Sequence, residues 1–176
     1  GTASFRPVEV LLSGLNRPGE RHGTKYTYTA PGYRLKYKDM KDYRNETGRK
    51  LEILMEDKPT GLEVCSNIQF YDGISVIRSW TELKNNGKED LGVEYVSSFA
   101  LLGIDKEGLL STDQKLEVLI ARNAWQKELI WNRFSMDQLG MSISQPDKVR
   151  RSSQTISVGN TGNWSTKNYL PMGCLK

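Results

Sequence analysis

Few side chains in this sequence are equipped to run a reaction, and their spacing argues against one. Two adjacent carboxylate pairs stand out, Glu56-Asp57 and Glu89-Asp90. Cleaving a glycosidic bond needs two carboxyl groups that flank the same bond, one of them a proton donor. Both pairs fall at predicted strand ends beside Lys or Gly. Neighbours on a strand point to opposite faces, so neither pair can flank one bond. Solvated turn charges are the expected role of both. His22 has no Ser or Cys in a recognisable nucleophilic arrangement and is expected to order a loop. Two cysteines, Cys65 and Cys174, are too few for a disulfide framework. Cys65 lies in an apolar alternation and is expected to be a small buried hydrophobe. With one histidine and no C-x-x-C, neither a metal site nor a cofactor is expected.

The aromatic residues are more suggestive. Sugar rings present hydrogen-covered faces that pack on Trp and Tyr, so a sugar site holds such a ring beside polar groups. Trp125 and Trp131 are six residues apart, which on a strand puts them on one face with Lys127 and Leu129 between them. That pair reads either as a sugar platform or as a core or interface element, since Trp buries a large area. Trp164, between Gly162 and Ser165, is expected near a surface or a domain junction. Trp125, Trp131 and Trp164 are therefore the candidate carbohydrate-binding residues. Trp80 lies in a strongly alternating run and is expected in the core.

The elements that must position these residues follow a period of two, not 3.6. Gly61 to Tyr71 alternates through Leu62, Val64, Ser66, Ile68 and Phe70. Ile74 to Leu83 does so through Val76, Arg78, Trp80 and Glu82. Asp72-Gly73 between them reads as a two-residue hairpin turn, and Asn85-Asn86-Gly87 as the next turn. Leu91 to Leu102 is then the third strand of an antiparallel meander. Further strands are expected at Val8–Leu12, Lys25–Thr29, Tyr33–Tyr37, Lys50–Met55, Lys115–Ala121, Trp125–Phe134 and Gln154–Val158. About ten short strands separated by turn signals predict an all-β antiparallel sandwich. Only Ser135 to Leu139 looks helical, with Ser135 as cap and Gly140 as stop. The long loops are expected at Asn16–Gly23 and Ser144–Ser153.

A chain of 176 residues suits one domain, here taken as residues 1–176. Apolar residues make up 37% and no run approaches the ~18 residues of a membrane span. The net charge of +4 is scattered: Lys36, Lys38 and Lys41 alternate with Tyr37, Asp39 and Asp42. Without a basic face or arm, nucleic acid is not an expected partner, nor is a membrane. The amino terminus shows no signal pattern, and Gly1 reads as a residue left by tag cleavage.

Three runs, taken in order, carry a family resemblance. The first gives Arg78, Trp80, Thr81, Glu82, Asn85 and Gly87, for a pattern R-x-W-T-E-x-x-N-x-G with one residue of slack. The second gives Trp125, Glu128 and Trp131, followed by Leu139 and Gly140. The third gives Asn160, Gly162, Trp164 and Ser165, then Leu170, Pro171, Met172 and Gly173. Together they resemble the amino-terminal domain of glycoside hydrolase family 36, the α-galactosidase family, over roughly Phe5 to Lys176. The resemblance implies a galactose-mutarotase-like β-supersandwich, here a partial domain with strands missing on both sides. It implies that both catalytic aspartates lie in a separate (β/α)₈ barrel, so no catalytic residue transfers to this chain. The implied partners are that barrel and a second copy of the chain, with α-galactosides met only through the parent enzyme. A free-standing carbohydrate-binding module and a structural β-sandwich unrelated to sugars are the alternatives. A barrel encoded immediately downstream would separate the first reading from the second.

Overall fold

The structure is a computed structural model that describes residues 7–15, 30–101, 116–136, 138–139, 156–160, 164 and 166–176. It is almost entirely β, and every strand pairing among the described residues is antiparallel. These residues fall into two compact units, one up to residue 101 and one from residue 116.

The first unit is built on a four-stranded meander of β2 (Lys36–Asn45), β3 (Gly48–Asp57), β4 (Leu62–Tyr71) and β5 (Ile77–Asn85), in that order. Register decides its faces. One row across the sheet is Tyr37, Met55, Val64 and Leu83, and the next is Met40, Ile53, Ser66 and Thr81. This apolar face meets a second sheet of β1 (Val10–Leu12) and β6 (Val93–Val96). Val8, Val10 and Leu12 close with Met55, Leu62 and Val64 into one buried cluster. The Thr81 hydroxyl donates to the Ser97 carbonyl at 2.8 Å and helps hold the two layers together. Two antiparallel layers with the core between them make the unit sandwich-like. The opposite face carries the rows Lys41, Glu52, Asn67, Trp80 and Tyr43, Lys50, Gln69, Arg78.

A short helix, α1 (Ala30–Arg34), precedes β2, where a strand over Tyr33–Tyr37 is expected from the sequence. Pro31 sits in its first turn, where a missing N–H costs nothing, and Arg34 is drawn to a buried carboxylate described below. Asp72-Gly73 does not close a two-residue hairpin, because Phe70 pairs with Ile77. Asp72 is tied instead to the neighbouring hairpin: its N–H donates to Thr47 O at 3.1 Å and its carboxylate pairs with Arg44. The strand expected over Leu91–Leu102 shortens to β6 and leaves the meander to pair with β1. Asn85 starts that departure by accepting from Gly87 N–H and donating to Glu89 O, which widens the turn after β5.

The second unit is a three-stranded sheet in the order β8-β7-β9, with β7 at Glu117–Ala124, β8 at Lys127–Ser135 and β9 at Tyr169–Leu175. The sequence gives no strand signal for β9, because Pro171 and Gly173 argue against one. Its edge position removes the objection, since an edge strand need not offer every N–H. At Ser135 the hydrogen bonds of a capping box form, its hydroxyl accepting from Gln138 N–H and Gln138 Oε1 accepting from Ser135 N–H, but residues 136, 138 and 139 make a turn, not the helix expected there. Residues 156–158 are not in a strand. The strand expected at Lys25–Thr29, both long loops, Gly140 and His22 lie outside the described residues.

Candidate functional site

The unusual features of the second unit concentrate at one end of its sheet. β7 and β8 are joined through Trp125 and Gln126, with Ala124 paired to Lys127. Gln126 has φ +61° and Leu129 φ +57°, two non-glycine residues in the left-handed region within four positions. Such conformations cost energy and persist where surrounding contacts impose them, often at binding sites. The register slips between Arg122 and Ala124, so the hairpin carries a bulge beside its turn.

Asn123, at the bulge, fastens this end of the sheet to the segment that leads into β9. Its N–H donates to Asn168 O at 2.9 Å and its Nδ2 to Thr166 O at 2.6 Å. Its Oδ1 is buried with no hydrogen-bond partner. Asn160 braces the same segment, accepting from the N–H groups of Asn168 and Tyr169 and donating to Tyr169 O. Between the hairpin and the braced segment lies an open cleft of about 400 Å³. Arg122, Asn123, Lys127, Asn132, Asn168 and Tyr169 line it with polar groups, and Ala124 and Ile130 add apolar surface. It offers amides, two cations and one phenol, the set of groups that orients a hydroxylated ligand.

Trp125 and Trp164 flank this end. Their ring centroids are 5.9 Å apart at 45°, and both are exposed, at 75% and 58%. Trp131 is not part of the group. It lies within β8 and pairs with fully buried Ala121, whereas its neighbours Ile130 and Asn132 face the cleft. The same-face pair expected of Trp125 and Trp131 does not form, because Trp125 lies in the turn and the bulge breaks the alternation.

In the first unit, the adjacent carboxylates Glu56 and Asp57 do point to opposite faces, but Asp57 is not solvated. It has 0% exposure and takes a bidentate pair from Arg34, Nε to Oδ1 and Nη2 to Oδ2, both 2.8 Å, plus the Thr60 hydroxyl at 2.6 Å. Burial pushes this carboxyl up, and the hydrogen bonds from Arg34 and Thr60 overcome it, leaving the net shift below the ordinary carboxylate value. Arg34 thereby pins α1 to the end of β3. Glu56 stands directly opposite Glu63 on β4. Facing residues sit about 5 Å apart, the spacing of a retaining glycosidase pair. Lys38 occupies the space, with Nζ 2.9 Å from Glu63 and 3.8 Å from Glu56. The hydrogen bond from Lys38 holds the Glu63 carboxyl below its ordinary value, so it is no proton donor at neutral pH.

Trp80 is half-buried on the polar face, not in the core. Lys50 Nζ stands 4.9 Å and Arg78 Cζ 5.2 Å from its ring centroid, and its Nε1–H donates to Glu82 at 2.9 Å. Cys65 is half-buried on that same polar face; burial, reinforced by Glu52 and Glu82, pushes its thiol up and keeps it unreactive. Cys174 is exposed, and both cysteines are free. No group of three or more metal-ligating side chains occurs among the described residues, and no helix among them is long and apolar enough to cross a membrane.

Comparisons with protein-family models, curated proteins and solved structures return no match. The motif residues nonetheless have visible roles. Arg78, Trp80 and Glu82 form one stacked and hydrogen-bonded group, Thr81 ties the layers, and Asn85 and Gly87 shape a turn. Asn160 organises the entry to β9. Sequence reasoning missed Arg122, Asn123, Lys127, Asn132, Asn168 and Tyr169 as a site. They come from three segments that only the sheet order brings together.

Proposed function

We propose that this chain is a non-catalytic accessory β-module of an α-galactosidase-type glycoside hydrolase, and that the β7–β8 hairpin end is its sugar-facing surface. The observation that carries this reading is the exposed Trp125–Trp164 pair beside a cleft of amide, hydroxyl and cationic groups. Two exposed tryptophans in contact offer a large apolar surface with a polar tip, suited to packing on a sugar ring or a partner. The family resemblance supplies the parent reaction, hydrolysis of terminal α-galactosides by a barrel domain. The supersandwich assignment and the pairing with that barrel rest on the resemblance too. The one facing pair of carboxylates described above, Glu56 and Glu63, is bridged by Lys38 and Glu63 is held ionised, so that pair supplies no general acid.

The test is the full parent. Its reading frame downstream of Lys176 is expected to encode a barrel with α-galactosidase activity. Trp125→Ala and Trp164→Ala in that enzyme are expected to raise KM for extended α-galactosides and leave kcat near the parent value. A frame without a barrel overturns the accessory reading and favours the free-standing binding module.

A further inference from the structure

We infer that the cleft at the β7–β8 hairpin takes a pyranose that carries an anionic substituent, a carboxylate or a phosphate. This rests on the reading of that end as sugar-facing. Four observations of the cleft point to it. Arg122 and Lys127 both line it, and neither forms an ion pair among the described residues. No carboxylate lines it: Glu128, next to Lys127 in sequence, is not among the lining residues, and Glu117 is engaged by Arg133 at 3.4 Å. By contrast, in the cleft beside β3 and β4 both lysines are compensated, Lys38 by Glu56 and Glu63 and Lys58 by Glu56. Finally, Asn132, Asn168 and Tyr169 surround the two cations with groups that can bond ring hydroxyls.

Two uncompensated cations in one concave site set up a positive potential that a neutral sugar does not use. An anionic substituent satisfies both, and an arginine can engage carboxylate or phosphate oxygens in a fork. The rest of the ring then lies against the amides and Tyr169, with the Trp125–Trp164 end available for a neighbouring residue of the glycan. The hairpin is prepared for this before the ligand arrives. The bonds from Asn123 to Thr166 and Asn168 and the brace at Asn160 fix both walls, so binding does not require ordering them.

The experiment titrates the 176-residue chain with galactose, galacturonate, galactose 6-phosphate and inorganic phosphate, by calorimetry and by the indole N–H resonances of the tryptophans. Galacturonate or galactose 6-phosphate is expected to bind at least about ten-fold more tightly than galactose, with the preference falling at high salt. Arg122→Gln and Lys127→Gln are each expected to remove most of that preference. Both residues are exposed and form no ion pair among the described residues, so the fold is expected to survive, and Lys127→Glu should reverse the preference outright. The galacturonate and phosphate arms distinguish a uronic acid from a sugar phosphate. Equal affinity for galactose and galacturonate overturns the anionic preference and leaves the sugar reading standing. Inorganic phosphate binding as tightly as galactose 6-phosphate, with Trp125→Ala silent, overturns the sugar reading and leaves an anion site. No binding of any of the four overturns both.

Discussion

Asp57 shows how much one side chain can decide. It sits at the end of β3, where a charge is ordinarily solvated, yet the turn into β4 folds over it and Arg34 reaches it from α1. Its carboxyl lies below the ordinary value in the folded state, so the sign is fixed: the pair contributes fully above the ordinary carboxylate pKa and is lost as pH falls through the folded value. Asp57→Asn should therefore lower stability by about 2 kcal/mol at neutral pH, discounted for the partly exposed Arg34. The gap between mutant and parent melting temperatures should narrow steadily below about pH 4. A gap that stays constant down to pH 2 would refute the assignment. Trp80 carries the opposite lesson. Alternation correctly puts it on a strand, but alternation alone does not say which of two faces is the core. The register places it with Arg78 and Glu82, above Asn67 and Gln69, on the polar side. Trp80→Ala should cost about 2 kcal/mol, below the usual loss for a fully buried large aromatic. Thermal denaturation of that variant checks the face directly.

At the scale of elements, glycines mark where strands are forced together. Gly61 has φ +73°, and a Cβ there would lie 2.6 Å from Gly87 Cα. Gly73 has nearly the same φ, +77°, with nothing within 4 Å of such a Cβ. Gly73→Ala should thus cost only the left-handed backbone penalty, about 1 kcal/mol. Gly61→Ala adds a backbone clash that must separate the β3–β4 turn from the end of β5, and should cost clearly more, about 3 kcal/mol. Comparable losses in the two variants would mean that the close approach is unimportant. The elements also show what was legible. β3 and β4 could be read because apolar residues alternate there, and β1 and β7 because each holds a short apolar run. Lys36–Asn45 gave almost no signal beyond its first residues, since an exposed edge strand is free to be charged throughout. β9 was hidden by Pro171, and β6 was misplaced because alternation predicts a strand without naming its partner. The cleft was illegible for the same reason: Asn132 and Asn168 mean nothing until β7 is known to lie between β8 and β9.

At the scale of the whole molecule, the distribution of apolar surface predicts association. The β1–β6 layer covers one end of the four-stranded sheet, around Met55, Leu62 and Val64. The same face continues past that cover through Met40, 51% exposed, and Ile77, 52% exposed. In the same unit, Tyr37, Ile74 and Val76 are exposed as well. Monomeric proteins rarely leave contiguous apolar surface of this kind uncovered. The edge of β2 offers little for strand addition, because it is lined with Lys36, Lys38, Lys41 and Arg44. Face-to-face contact between copies is thus favoured over edge pairing. Sedimentation velocity should show dimers or larger species at micromolar concentration. Association should strengthen rather than weaken as salt rises, since burial of apolar surface is not screened. Met40→Lys and Ile77→Lys introduce charge onto an already exposed face, so they should shift the chain to monomer with little change in far-ultraviolet circular dichroism. A parent chain that stays monomeric at tens of micromolar would leave this face without a function in self-assembly.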